Sequence, residues 1–274
     1  MERIEKPRGL LPWYAVSLAV SVTVCLAMGY RGWTLVGGLI GFFLAAYVCL
    51  WLLLLVFLVV LALAAGPVRE RKRRDTFYNA VVCYVLGLVT ALGRIRVRVS
   101  GLDQLPAGRW LLVCNHRSNY DPLITGWLLR KREFAFITKP SVMRNFVSGR
   151  LVSRACYLGI DRENDRAALR TILEAARLLK EDVVSFGIYP EGTRHAGDEM
   201  LPFRNGAFKI AQRAKVSVVA AAIRGTDAVH RNFPWRSTEV QLKICAVMDA
   251  ETVCALSTVE IGDQVRTCIN SALS

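Results

Sequence analysis

The chain has 274 residues, 53% of them hydrophobic, a mean hydropathy of +0.33 and a formal net charge of +14. That length fits a membrane segment plus one soluble domain of about 200 residues. So apolar a balance argues against a purely soluble chain, and the charge favours anionic partners: nucleic acid, an anionic lipid surface or phosphorylated substrates.

The eight cysteines, Cys25, Cys49, Cys83, Cys114, Cys156, Cys245, Cys254 and Cys268, form no C-x-x-C pair. They read as reduced structural thiols in a cytosol-facing protein rather than as a disulfide framework. His116, His195 and His230 lie far apart, so no metal site and no bound cofactor is expected. Nucleic-acid binding finds no helix-turn-helix, zinc-finger or stacking-aromatic pattern to support it.

Residues 1–75 read as an N-terminal membrane anchor. Leu10 to Tyr30 carries no charge, enough chain to cross roughly 30 Å of hydrocarbon as a helix. Arg31-Gly32-Trp33 interrupts it, and a second uncharged segment, about 34–66, follows with room to tilt or to bend near Gly37-Gly38. A cleaved signal peptide is the competing reading of the first segment, but the segment is long for one and the second follows at once. Arg3, Lys6 and Arg8 precede the pair, Arg69, Arg71, Lys72, Arg73 and Arg74 follow it, and only Arg31 lies between. By the positive-inside bias this predicts a transmembrane helical hairpin in an inner or cytoplasmic membrane, both ends in the cytoplasm. The basic cluster can also attract anionic lipid headgroups. Phe77 to Leu92 is a milder apolar stretch, expected as a helix on the domain or at the interface.

Residues 76–274 read as a cytoplasm-facing domain. Ile95–Ser100 alternates apolar and polar residues, as a half-buried strand does. Trp110–Cys114, Phe134–Thr138, Val183–Tyr189, Val216–Ile223 and Glu239–Val247 are further strands. Helices are expected from Asp121-Pro122, with Asp121 as the N-cap, and over Asn164–Glu181, Phe203–Ala214 and Thr258–Leu273. Strands alternating with helices predict an α/β fold: a mixed, largely parallel sheet flanked by helices, preceded by the transmembrane hairpin.

Two loops follow directly after apolar strands, where ligand sites in open α/β sheets gather. In Asn115-His116-Arg117-Ser118-Asn119-Tyr120-Asp121, a tight turn lets the Asp121 carboxylate reach the His116 imidazole. Asp121 then fixes the tautomer and leaves Nε2 as a general base for a substrate hydroxyl. By spacing alone, Asp121-Pro122 is equally an ordinary helix start and His116 a hydrogen-bonded loop residue. In Tyr189-Pro190-Glu191-Gly192-Thr193-Arg194, Gly192 permits close approach of backbone N–H groups to a phosphate, Thr193 adds a hydroxyl and Arg194 a bidentate grip. Composition alone equally allows a surface turn with a solvated arginine.

Together the loops resemble the glycerophospholipid (1-acylglycerol-3-phosphate) acyltransferase family. Asn115, His116 and Asp121 match its N-H-x-x-x-x-D motif, and Tyr189–Arg194 its [FY]-P-E-G-T-R motif. Gly159-Ile-Asp-Arg162 is similar to a block ending in an acceptor-contacting arginine, and Phe203-Arg-Asn-Gly-Ala-Phe-Lys209 to F-x-x-G-A-F-K. Two patterns depart: Ser217 and Ala220 stand where the family often has prolines, and Lys139-Pro-Ser-Val142 keeps only the lysine of K-x-E-L.

The resemblance implies an O-acyltransferase. His116 and Asp121 would act on the sn-2 hydroxyl of a lysophospholipid acceptor. Arg162, Thr193 and Arg194 would hold its phosphate with Gly192 in the same binding loop, Glu191 would order that loop or bind an acceptor hydroxyl, and Lys139 would add positive field. Asn115 and Ser118 would support the His loop, and backbone N–H groups near that loop or Gly192 would face the oxyanion. Acyl-CoA or acyl carrier protein would be the co-substrate, at a bilayer with anionic lipids. Another acceptor, such as a lyso-ornithine lipid, is the nearest alternative; a non-catalytic binder of anionic lipids is the more distant one.

Overall fold

The computed structural model describes residues 2–195 and 200–273. The chain divides into two compact units, Arg8–Gly66 and a larger one comprising Met1–Pro7 with Pro67–Ser274.

The smaller unit is a pair of antiparallel helices, α1 (Leu11–Ala27) and α2 (Gly32–Ala65). Trp13 stacks on Trp51 at 4.6 Å and Tyr14 on Tyr47 at 5.5 Å, while Tyr30 meets Phe42 at the other end. Every fourth residue of α1 is buried, from Trp13 through Ser17 and Ser21 to Cys25, and Ser21 Oγ donates to the Leu39 carbonyl at 2.7 Å. Gly29, at φ 66°, ends α1, and the Tyr30 N–H returns to the Cys25 carbonyl at 3.1 Å, closing a glycine-terminated helix. Hence α1 stops short of the expected residue 30. Helix α2 runs unbroken through Gly37-Gly38: a Cβ on Gly38 would stand 2.6 Å from the Tyr30 ring, so that glycine serves close packing rather than a bend. Among the described residues, α2 alone is long and apolar enough to cross a membrane by length and composition. Its 34 residues reach about 50 Å, against roughly 30 Å of hydrocarbon.

The larger unit is built on an eight-stranded sheet. Its strands are β1 (Arg3–Glu5), β2 (Ile95–Ser100), β3 (Trp110–Cys114), β4 (Phe134–Thr138), β5 (Leu158–Gly159), β6 (Ser185–Ile188), β7 (Ser217–Arg224) and β8 (Thr238–Met248). Their order is β1-β2-β8-β7-β3-β6-β4-β5. Only β1/β2 and β7/β8 pair antiparallel; every other neighbouring pair is parallel. Strands β3, β4 and β6 are buried on both faces, which is why they read as continuous apolar runs. In β2, Ile95, Val97 and Val99 face the core while Arg96 and Arg98 face outward, and Arg98 pairs with Glu239 at 2.5 Å. Residues 3–5, counted with the anchor on sequence grounds, instead give β2 an outer neighbour. Three residues are too few for periodicity to reveal a strand.

Helix α3 (Thr76–Leu92) starts at Asp75, whose carboxylate accepts from the Phe77 and Tyr78 N–H groups. It packs against α4 (Tyr120–Leu128), where Gly87 leaves room for the Trp127 ring. Two short helices, α5 (Pro140–Arg144) and α6 (Ser148–Arg154), lie in a segment without sequence periodicity. Helix α7 (Asp165–Lys180) buries Ala175, Ala176, Leu178 and Leu179 and is capped by Asn164. The helix expected over 203–214 is a 3-10 turn, Asn205–Phe208, followed by α8 (Lys209–Ala214). Helices α9 (Val229–Asn232), α10 (Ala250–Ala255) and α11 (Thr258–Leu273) complete the unit.

Ala220, in place of a family proline, pairs with Val113 on one side and Ala246 on the other. A proline has no N–H to give to either ladder.

Candidate active site

Because β3, β6, β4 and β5 run parallel, the loops after them leave the same edge of the sheet. That one fact gathers His116, the 189–194 turn, Lys139 and Arg162, which lie far apart in sequence. Register sharpens it: Val113 pairs with Ile188, so His116 and Glu191, each three residues on, stand side by side.

The Asp121 carboxylate is fully buried and its Oδ2 collects three donors: His116 Nδ1 at 2.8 Å, and the Arg117 and Ser118 N–H groups at 2.7 Å each. Helix α4 begins at Tyr120, so Asp121 is not the N-cap expected from Asp-Pro. Its side chain turns back on the preceding loop instead of serving the helix's own N–H groups. The Glu191 carboxylate grips the loop from below, accepting from the His116 N–H at 2.6 Å and the Leu201 N–H at 3.2 Å. Burial pushes the Glu191 carboxyl above its ordinary value, and these two bonds pull it part of the way back. The imidazole face stacks on Tyr189 at 4.3 Å, and Tyr189 stacks on Phe136 at 5.6 Å. Nδ1 is thus committed to Asp121 and the ring plane to Tyr189. The other ring nitrogen, Nε2, has no hydrogen bond among the described residues and is the atom left for chemistry.

Asn115 works differently. Its amide donates to the Ile223 carbonyl at 2.9 Å and accepts from the Ile223 N–H at 2.7 Å, extending the β3–β7 ladder one residue past Cys114. Ser118 closes the turn by accepting from the Tyr120 N–H at 3.3 Å.

Gly192 sits at φ 78°, a left-handed conformation suited to glycine. A Cβ there would stand 3.0 Å from Arg204 Nε and 3.4 Å from Arg162 Nη1. Two guanidiniums therefore meet over this glycine, and neither makes an ion pair among the described residues. Burial first, and the Arg204 charge second, push the Arg162 guanidinium below its ordinary value. Beside them lies a cleft of about 280 Å³. Arg162, Arg204 and Lys209 outweigh the one acid in its lining, Asp165, and Ile160, Leu169 and Ile172 form part of its apolar wall. Cationic groups at the mouth of an apolar cleft suit a phosphate joined to a hydrocarbon chain.

Thr193 and Arg194 are exposed, next to residues 196–199, which fall outside the described part of the chain. Lys139 is exposed between β4 and α5. None of these three lines the cleft. The N–H groups of residues 116 to 118 are spent on Glu191 and Asp121, and that of Gly192 on the Tyr189 carbonyl, so these expected oxyanion donors are already engaged. Sequence reasoning assigned Arg204 and Lys209 no role. The F-x-x-G-A-F-K block contains both, but nothing in its spacing aims a side chain at Gly192.

A family model described as Acyltransferase matches residues 96–224. A 1-acyl-sn-glycerol-3-phosphate acyltransferase of Haemophilus influenzae is 30% identical over 61% of this chain and 68% of its own. A 1-acyl-sn-glycerol-3-phosphate acyltransferase alpha of Mus musculus is 31% identical over 82% and 78%. The chain spans less of the plant relatives, 42% of the Cocos nucifera enzyme and 60% of that of Limnanthes alba. The crystal structure of the 1-acyl-sn-glycerophosphate acyltransferase PlsC from Thermotoga maritima shares the fold. Its TM-score is 0.54 at 23% identity, covering 79% of this chain and 86% of that one.

Proposed function

Since this chain belongs to the 1-acyl-sn-glycerol-3-phosphate acyltransferase family and is an O-acyltransferase, we propose that it transfers a fatty acyl group from acyl-CoA or acyl carrier protein to the sn-2 hydroxyl of 1-acylglycerol-3-phosphate, giving phosphatidic acid. The observation that carries this reading is the pairing of an oriented His116, its Nε2 unengaged, with two guanidiniums over Gly192 at the same sheet edge.

In this mechanism His116 Nε2 takes the proton of the sn-2 hydroxyl, and the oxygen attacks the thioester carbonyl. The tetrahedral intermediate collapses by breaking the C–S bond, and the leaving thiolate takes the proton back from the imidazolium. Asp121 keeps the proton on Nδ1 and stabilises the transient positive ring. No acyl-enzyme forms, and no serine or cysteine is needed. Arg162 and Arg204 hold the acceptor phosphate, with Thr193 and Arg194 available from the rim and Lys139 adding positive field. Glu191 keeps the two loops in register. The hairpin of α1 and α2 anchors the chain in the cytoplasmic membrane with both its ends in the cytoplasm, so that the catalytic unit lies where the single-chain acceptor and both donors are accessible.

Purified full-length protein, given 1-acylglycerol-3-phosphate and other lysolipids with each donor, tests this reading by product mass. The expected product is phosphatidic acid one acyl chain heavier than the acceptor. Preference for another lysolipid would reassign the acceptor, and no transfer from either donor would overturn the proposal.

A further inference from the structure

The strand β7 is parallel to β3, so the segment that follows it, residues 225–237, emerges at the same edge as His116. An ion pair ties it there: Arg117 Nε meets Asp227 at 3.4 Å, and Arg231 meets the same carboxylate at 3.3 Å. Phe233 is 50% exposed and Trp235 is 85% exposed, the most exposed large apolar side chain among the described residues of the larger unit. These aromatics are not on a loose tip. The Phe233 N–H donates to Val229, the Arg236 N–H to Asn232, and Asn232 Nδ2 to Thr238 Oγ1. Arg94 Nη1 donates to the carbonyls of Pro234 and Trp235 at 3.1 and 3.2 Å.

From this we infer that His230–Ser237 is an interfacial foot: Phe233 and Trp235 enter the headgroup region of an anionic bilayer and seat the catalytic edge on it. Exposing a tryptophan to water on a rigid turn is costly, whereas the bilayer interface is where aromatic rings with one polar edge partition. The charge agrees. Arg94 holds the Trp235 carbonyl and Arg236 follows Trp235 in the chain, while Arg231 is paired with Asp227; residues 230–237 themselves contain no acid, so the surface that fits is negative. A lipid surface suits the site better than a protein partner, because the acceptor proposed above must leave a bilayer to reach His116.

The test uses the full chain reconstituted in phosphatidylcholine vesicles with or without phosphatidylglycerol. Trp235→Phe removes one of six tryptophans. The fluorescence lost should be quenched by lipid brominated near the headgroup and protected from aqueous iodide. Arg236→Gln should weaken that quenching only in anionic vesicles. A component quenched by iodide and not by bromolipid, or shielded only when an acidic carrier protein is added, would overturn the inference. Quenching is read without turnover, so its failure is separate from failure of the proposed reaction.

Kinetics give a second arm. Phe233→Ser with Trp235→Ser should raise KM for a long-chain acceptor embedded in the bilayer at least about fivefold, given the value of burying large apolar side chains. It should leave kcat/KM for a dissolved short-chain acceptor unchanged. Equal effects on both acceptors, or none on either, would contradict the foot.

Discussion

Replacing Asp121 by asparagine removes one charge and no volume, and the surrounding donors dictate how the amide must sit. Oδ2 accepts from the Arg117 and Ser118 N–H groups at 2.7 Å and from His116 Nδ1 at 2.8 Å. An amide NH2 in that place would face two backbone donors, so the carbonyl oxygen takes it and the NH2 goes where Oδ1 was. The His116 tautomer therefore survives; what is lost is the negative charge beside the transient imidazolium. A hydrogen bond to a charged group contributes about 1.5–3 kcal/mol, against about 0.5–1.5 for a neutral one. The difference of about 1–2 kcal/mol corresponds to a fall in kcat of roughly 5- to 30-fold, at about 1.36 kcal/mol per decade. Acyl transfer to lysophosphatidic acid, followed by product mass, measures it, with circular dichroism confirming the fold. A fall near 10⁴, the size seen when an amide forces the wrong tautomer, would refute the argument from backbone donors. An unchanged kcat would refute any role for the charge.

Three further outcomes follow from the same geometry. Glu191 has its carboxyl raised by burial, so it favours the folded state most at low pH and loses that contribution as pH rises through its folded value. The melting-temperature difference between wild type and Glu191→Gln should shift against wild type between about pH 4 and pH 7; a shift in its favour would contradict the burial effect. Arg204→Gln should raise KM for a phosphorylated acceptor about tenfold, as loss of one charged hydrogen bond implies, and leave KM for the donor unchanged. An equal effect on a monoacylglycerol lacking phosphate would remove Arg204 from the phosphate site. Asn115→Ala strips both partners from the Ile223 backbone and should cost about 2–5 kcal/mol by denaturant titration. A loss below about 0.5 kcal/mol would mean that water replaces the amide at little cost.

The central strands were legible because each is a short run buried on both faces, as in Trp110–Cys114 and Val218–Ile223. The long helix over Asp165–Lys180 was legible from its spacing and its cap. Strands β1 and β5 were not, being three and two residues long and held only by their neighbours. Helices α5 and α6 escaped notice because five- and seven-residue helices carry no usable period. In the site, the tight loop between a strand and a helix allowed the His116–Asp121 contact and equally a helix cap, and the N-H-x-x-x-x-D resemblance favoured the contact. The Glu191 bond to the His116 N–H was not, since it depends on the register of β3 with β6. Arg204 was hidden because a bond distant in sequence, its N–H to the Pro190 carbonyl at 2.9 Å, and not a local pattern, holds it against the Gly192 turn. The sequence also pointed to the exposed Thr193 and Arg194, whereas the cleft is lined by Arg162, Arg204 and Lys209.

The central claim is that His116 Nε2 takes the acceptor's proton, and the most direct test is the turnover of His116→Gln. Purified variant and wild type are compared with lysophosphatidic acid and acyl-CoA, with folding verified by matching thermal transitions. The account predicts a kcat lower by about 10²–10⁴, with acceptor binding retained through the guanidiniums over Gly192. A folded variant that keeps more than about 10% of wild-type turnover would contradict it.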